Sequence, residues 1–189
     1  MSDTQTKILD IAEGLVQSRG FNGFSYADVA EELHITKPAL HYHFSSKAEL
    51  GEALISRYAA RFAAALADID ANLIDAPAKL EAYANLYLEV LRKKRMCLCG
   101  MLAAEYQTLP KPMTKTVVRF FDDNERWLGA VLEQGRRDHT LAYPGSTSET
   151  ARMIVSVLEG AMLVARPYGD ITRFQATATR LLGDLTAPA

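Results

Sequence analysis

The chain has 189 residues, 49% of them hydrophobic and 23% charged, with a formal net charge of -2. That length holds one substantial core, or a small module joined to a larger one, and the near-neutral balance names no partner and runs against the strongly basic character frequent in nucleic-acid-binding domains. No apolar run reaches the roughly 18 residues of a membrane span and the first residues lack the apolar core of a signal peptide; Cys97 and Cys99 are too few and too close for a disulfide framework, so a cytoplasmic protein is expected.

Apolar residues recur at three- and four-residue spacing from end to end and strand signals are scarce, which predicts an all-α protein. The first helix is expected over about Thr6 to Arg19, with Ile8, Ile11, Ala12, Leu15 and Val16 on one side and Gly20 as its stop. A short second helix starts at Ser25, an N-cap with Asp28 three residues on, and runs through Val29 and Ala30 to Leu33. Thr36 caps a third, with Pro38 in its first turn and Leu40 and Phe44 as its apolar pair. Ser45 or Ser46 caps a long fourth helix from Lys47 through Leu50, Leu54, Tyr58, Phe62 and Leu66 to about Leu73. Proline and glycine punctuate the rest, giving helices over about 78–94, 98–108, 113–138, 146–166 and 170–186. Residues 1–50 thus read as three short helices and residues 51–189 as a larger helical bundle.

The stretch ITKPALHYHFSSKAEL, Ile35 to Leu50, sets His41, Tyr42 and His43 in a row with Lys37 and Lys47 on either side. On a helix, residues two apart are turned by roughly 200°, so His41 and His43 do not share a face and no metal pair is expected. No acidic residue lies between the two lysines and no nucleophile has an orienting partner, so no catalytic site is expected either. With Leu40 and Phe44 buried, Tyr42 and Pro38 lie opposite, Ala39 points outward, and His41 and His43 flank the buried stripe. A capped helix entered by a tight turn from another short helix, showing Lys, His, Tyr and Thr donors beside a small residue, has the logic of a DNA-reading helix-turn-helix.

The segments GFNGFSYADVAEEL and ITKPALHYHFSSKAEL together resemble the TetR family of bacterial transcriptional repressors, over about the first 60 residues. Phe24, Val29, Ala30, Ile35, Leu40, Tyr42, His43, Phe44, Lys47 and Leu50 carry the resemblance. It implies that the helix from Thr36 to Phe44 enters the major groove, and that Ser25 and Thr36 contact phosphates at helix N-termini. It further implies that Lys37, Ala39, His41 and Tyr42 face base edges or the adjoining sugar-phosphate, with His43 and Lys47 as phosphate clamps. The chain departs from the family at His34, where glycine or another permissive residue is usual, so a positive φ there would strain it. It departs again at His41, where tyrosine is common. Residues 1–50 hold four basic residues against seven acidic ones, yet the acids fall on the first two helices or at Glu49, leaving the reading face free of them. Affinity is therefore expected to depend on doubling that face in a dimer.

The resemblance also implies a homodimer on a double-stranded operator, released by a small-molecule effector, without cofactor, metal, membrane or enzymatic activity. The last two segments suit the dimer interface, one with Ile154, Leu158, Ala161, Met162 and Ala165, the other with Phe174, Leu181, Leu182 and Leu185. A stripe alone does not say which chain it meets, so an intramolecular core is the alternative. Tyr83, Tyr87, Tyr106, Asn124, Trp127 and Arg166 offer polar tips on apolar bodies for a ligand pocket, or are ordinary core and surface residues. In RKKRMCLCGMLAAEYQTLP, four basic residues before Cys97 and a helix start near Leu98 favour a thiolate, so Cys97 and Cys99 are redox or electrophile sensors on one reading and buried small apolar residues on the other. Two competing classes remain: an all-helical enzyme, whose converging acids and bases are not evident, and a protein-interaction module without DNA binding.

Overall fold

In the computed structural model, which describes residues 3–187, the Ser25 hydroxyl accepts the N–H of Asp28 while the Asp28 carboxylate accepts the N–H of Ser25. That closed capping box starts α2 where the sequence places it. The helices are α1 Asp3–Arg19, α2 Tyr26–Glu32, α3 Lys37–His43, α4 Lys47–Asn72, α5 Ala76–Arg92, α6 Leu98–Ala104, α7 Lys111–Arg137, α8 Thr147–Ala165 and α9 Thr172–Gly183. Single 3-10 turns follow α6 at Tyr106–Thr108 and α8 at Arg166–Tyr168. Among the described residues there is no strand, only an isolated bridge between Leu141 and Thr186. The all-α architecture with an N-terminal helix-turn-helix is present.

Two boundaries moved for identifiable reasons. α5 starts at Ala76 because Asp75 accepts the N–H of Ala78 and Pro77 occupies the first turn. α6 stops at Ala104 and the chain is extended at Leu109, ahead of Pro110, whose ring disfavours helical geometry in the residue before it.

The chain divides into two compact units, one running to Arg61 and taking in Cys97–Phe120, the other formed by Phe62–Met96 and the chain from Phe121 onward. The first has α1 against α2 and α6, and α2 against α3, around Ile8, Leu9, Val16, Val29, Leu40, Leu50 and Leu54, all buried. Glu13, on the buried side of α1, binds Arg57 at 3.0 Å and Arg61 at 2.5 Å, so a charge that burial alone would penalise is paired twice to α4.

In the second unit α8 lies beside α9, and α5 packs against both. Most residues of the expected dimer stripes have their side chains covered within this one chain. Ile154, Leu158, Met162, Ala165, Phe174, Leu181 and Leu185 are buried inside this one chain, and Ala161 and Leu182 are half-buried. The most apolar face of each helix meets its own neighbours, which bury it without a second copy. Outside, α8 leaves Met153 and Val164 exposed and Val157 and Gly160 half-buried, at spacings of four, three and four residues.

Candidate nucleic-acid interface

Between α2 and α3 the chain turns on His34, which takes φ 54 in the left-handed region. Its N–H reaches Glu31 O at 3.1 Å and that of Ile35 reaches Ala30 O at 3.0 Å, so the turn is hydrogen-bonded although a non-glycine residue costs about 1 kcal/mol there. The Thr36 hydroxyl then accepts the N–H of Ala39 at 3.3 Å and Pro38 sits in the first turn, which starts α3. Leu40 and Phe44 are buried and fix the rotation of this helix. Lys37, Pro38, Ala39, His41 and Tyr42 are exposed on the other side, and Tyr42 is 87% exposed. Seven residues are too few to hold a helix alone, so the buried pair, the cap and the turn together display that surface.

The two histidines serve different neighbours. The His41 ring lies 4.7 Å from the ring of Tyr26, and its Nδ1 is 3.2 Å from Ser45 O. A carbonyl only accepts, so in this contact the proton sits on Nδ1. His43 is half-buried with its ring edge-on to Tyr42 at 5.3 Å. Tyr26 donates to Phe44 O at 3.0 Å, and burial, helped by the charge of Glu49, pushes its phenol up to about 12. That bond joins the first residue of α2 to the residue after α3.

Ser25 gives its single hydroxyl proton to Asp28, at 2.6 Å. These bonds, ahead of the charge of Arg19, hold the Asp28 carboxyl below its ordinary range. Lys47 is turned inward: its ammonium donates to Phe21 O and Phe24 O, both at 2.5 Å, and lies 4.6 and 4.3 Å from the centroids of those rings. Desolvation lowers its pKa, against the opposing pull of Glu105 and Asp28. The residue expected as a phosphate clamp is, in this arrangement, a tie across the α1–α2 turn. Ser25, Lys37, His41 and Lys47 still line one recess of about 420 Å³, whereas Thr36, Ala39, Tyr42 and His43 lie outside it.

The turn has a second tie that sequence spacing does not reveal. Glu105, the C-cap of α6, accepts the N–H of Phe21 at 2.5 Å and that of Asn22 at 3.2 Å, and Asn22 donates to Thr108 at 2.7 Å. These partners are more than eighty positions apart, beyond any periodicity.

Four of the six expected ligand residues come together in the second unit. Tyr83 donates to Asn124 Oδ1 at 3.0 Å, so in the 3.0 Å contact with Tyr87 the proton comes from Tyr87. Trp127 stacks on Tyr83 at 5.6 Å and donates to Asp70 at 2.8 Å. Tyr83, Tyr87 and Asn124 are buried, so this cluster is packed core with satisfied polar tips. Tyr106 is exposed in the first unit and Arg166 is exposed just after α8. A cleft of about 440 Å³ opens elsewhere, between α5 and α9, with Leu80, Ala84, Leu88 and Phe174 as apolar lining and Glu81, Asn85, Gln175 and Thr179 as polar lining. Cys97 caps α6: its sulfur accepts the N–H of Gly100 at 3.4 Å and the hydroxyl of Tyr58 at 3.6 Å, and both cysteines are buried.

Two family models match the chain, bacterial regulatory proteins of the tetR family over residues 8–54 and the tetracyclin repressor-like C-terminal domain over residues 76–181. The chain belongs to the TetR family. A solved TetR-family transcriptional regulator from Agrobacterium tumefaciens is 32% identical and superposes with a TM-score of 0.94 over 97% of each chain. A TetR regulator from Legionella pneumophila is 34% identical, with a TM-score of 0.89 over 98% of each. The repressor NemR of Escherichia coli strain K12 is 25% identical over 171 residues, 87% of this chain and 84% of that one. This TetR-family member is a helix-turn-helix transcriptional repressor, from a family of regulators rather than enzymes. Among its described residues no helix is long and apolar enough to cross a membrane.

Proposed function

We propose that this TetR-family repressor binds a pseudo-palindromic operator as a homodimer, setting two copies of α3 roughly 34–36 Å apart in successive major grooves, and that a small molecule bound in the second unit releases it. The observation that carries this reading is the exposed face of α3, where an 87% exposed Tyr42 stands beside Lys37, Ala39 and His41 on a helix pinned from behind by Leu40 and Phe44. Leaving a tyrosine ring in water has no stabilising role, and a ring with a hydroxyl tip suits a sugar-phosphate wall or a base edge. Lys37, Ala39, His41 and Tyr42 are assigned to the groove, with Ser25, Thr36 and His43 along the phosphates. Lys47 holds the α1–α2 turn and reaches a phosphate only with the hydrogen left over from its two carbonyl bonds.

Residues 1–50 are the reading part and residues 51–189 the dimerisation and effector part. Dimerisation is assigned to the outer stripe of Met153, Val157, Gly160 and Val164 on α8, the apolar surface that its own bundle leaves uncovered. For the effector, the α5–α9 cleft has the volume of a small-molecule site, whereas the Tyr83–Asn124 cluster admits a ligand only by giving up its mutual hydrogen bonds. Release requires that the ligand bind the non-operator state more tightly than the operator state.

The test is a mobility shift on the duplex upstream of the chain's own coding sequence. Wild type is expected to shift it in preference to random DNA, and Tyr42→Ala to lose at least tenfold in affinity, about 1.4 kcal/mol, with unchanged melting. Equal binding by both proteins overturns the assignment of α3.

A second reading, a thiol-responsive regulator, is favoured by one contact: the Tyr58 hydroxyl and the Gly100 amide both donate to Cys97 Sγ, the arrangement that stabilises a thiolate. Cys97→Ser and Cys99→Ser compared under oxidant decide it, since unchanged DNA release in both removes the sensor.

A further inference from the structure

We propose that the exposed basic run Arg92-Lys93-Lys94-Arg95 is a second, sequence-independent contact of this repressor, holding phosphates of the duplex flanking the operator; it rests on the DNA-binding reading above.

The reading part has few cations free to meet a polyanion. Of the four basic residues within positions 1–50, Lys7 pairs with Asp3 at 2.6 Å, Arg19 lies 3.5 Å from Asp28, and Lys47 donates to Phe21 O and Phe24 O. Lys37 alone of the four has no carboxylate or carbonyl partner among the described residues. A protein that grips a polyanion gains much of its affinity by displacing counterions from several phosphates, and one uncommitted lysine per subunit supplies little of that.

The basic run supplies the missing charge. All four side chains are exposed. Arg92 pairs with Glu89, but Lys93, Lys94 and Arg95 meet no acidic side chain among the described residues, so three adjacent charges stay uncompensated. The dipole of α5 accounts for a cation in its last turn, such as Arg92, and not for Lys94 and Arg95 beyond the helix end.

Lys94 points the same way from the backbone. It takes φ 57, its N–H reaches Leu91 O at 2.8 Å and that of Arg95 reaches Val90 O at 3.1 Å. This is the left-handed closure of a helix end, where glycine fits without strain. Local structure therefore asks for glycine, and lysine occupies the position against that preference.

Met96 alone separates Arg95 from Cys97, where the second segment of the first unit begins. α6 follows directly, packs along α1, and ends at Glu105, which holds the turn leading into α2. The run is thus tethered by two peptide steps to the scaffold that carries the helix-turn-helix.

The experiment compares wild type with the triple variant Lys93→Gln, Lys94→Gly, Arg95→Gln, and with Lys94→Gly alone, by fluorescence anisotropy across a salt series. The probes are the upstream duplex in its full length, the same duplex trimmed to the footprinted core, and a random duplex of the full length. The triple variant is expected to bind both long duplexes about tenfold more weakly, with a log K against log salt slope shallower by about 0.9 for each phosphate it no longer neutralises, and to match wild type on the trimmed core. Lys94→Gly is expected to melt no lower than wild type while shifting the slope in the same direction. A triple variant with unaltered slope and affinity, beside a Tyr42→Ala variant that loses binding, overturns this proposal and leaves the repressor reading intact. Unchanged DNA binding with lost adhesion to phosphatidylserine vesicles overturns it in favour of a lipid surface. A wild type that binds none of the duplexes overturns both readings.

Discussion

The carboxylate of Glu105 accepts the backbone N–H of Phe21 at 2.5 Å, so the residue that ends α6 also fixes the entry into α2. The same carboxylate takes the N–H of Asn22, and Gly20 beside it has φ 86, where a Cβ would stand 2.7 Å from Glu105 Oε1 and push the carboxylate off its amides. Replacing Glu105 by alanine leaves two amides without their acceptor. A loss of about 1–3 kcal/mol is expected in denaturant unfolding, with faster hydrogen exchange at Phe21 and Asn22. Exchange rates equal to wild type would remove Glu105 from this role.

Lys47 tests the difference between a tie and a clamp. Its two bonds to Phe21 O and Phe24 O predict that Lys47→Ala lowers unfolding stability by about 1–3 kcal/mol. DNA affinity should fall with it, because the turn loosens, while the salt slope stays that of wild type. A phosphate clamp gives the opposite pattern, normal stability with a slope shallower by about 0.9.

The contrast between these two residues shows what the sequence reveals. Ser25 with Asp28, Thr36 with Pro38, and the left-handed demand at His34 are all readable, because each is a local rule acting within a few residues. Leu40 and Phe44 set the face of α3 for the same reason. Sequence places Lys47 on the right helix but does not reveal its bonds to the α1–α2 turn, since nothing local says whether a lysine stem folds inward over Phe21 and Phe24. Glu105 is not legible at all, its partners being distant in the chain. The α8 and α9 stripes announce burial and leave the burying partner open, because periodicity records that a face is covered and not by what. The α5–α9 cleft escapes notice because its apolar lining has the same spacing as packed core.

Acid should loosen the helix-turn-helix through two exposed carboxyls. Asp28 is held low by the hydroxyl and N–H of Ser25, and Glu49 by those of Ser45. A depressed folded pKa contributes stability above the unfolded value, here the ordinary 3.8 and 4.5, and that contribution is lost as pH falls through the folded pKa. Melting followed downward from neutral pH should therefore show a fall below about 4.5 in wild type. Asp28→Asn and Glu49→Gln should start lower and fall less over the same range. Parallel curves for all three proteins would exclude these caps as the source.

The two faces of α8 should separate cleanly. Leu158 is fully buried in its own bundle, so Leu158→Ala should cost about 2–5 kcal/mol of unfolding stability through the packing removed and the cavity left behind. Val164 is exposed on the outer stripe, so Val164→Glu should leave the isolated chain folded yet desolvate a carboxylate wherever that stripe is covered by a second copy. Sedimentation equilibrium is then expected to show a wild-type dimer, a Leu158→Ala dimer of lower melting temperature, and a well-folded Val164→Glu monomer. DNA affinity should collapse in the last, because one reading helix loses its partner half-site. A Val164→Glu protein that stays dimeric would move the interface off this stripe, whatever its effect on the operator.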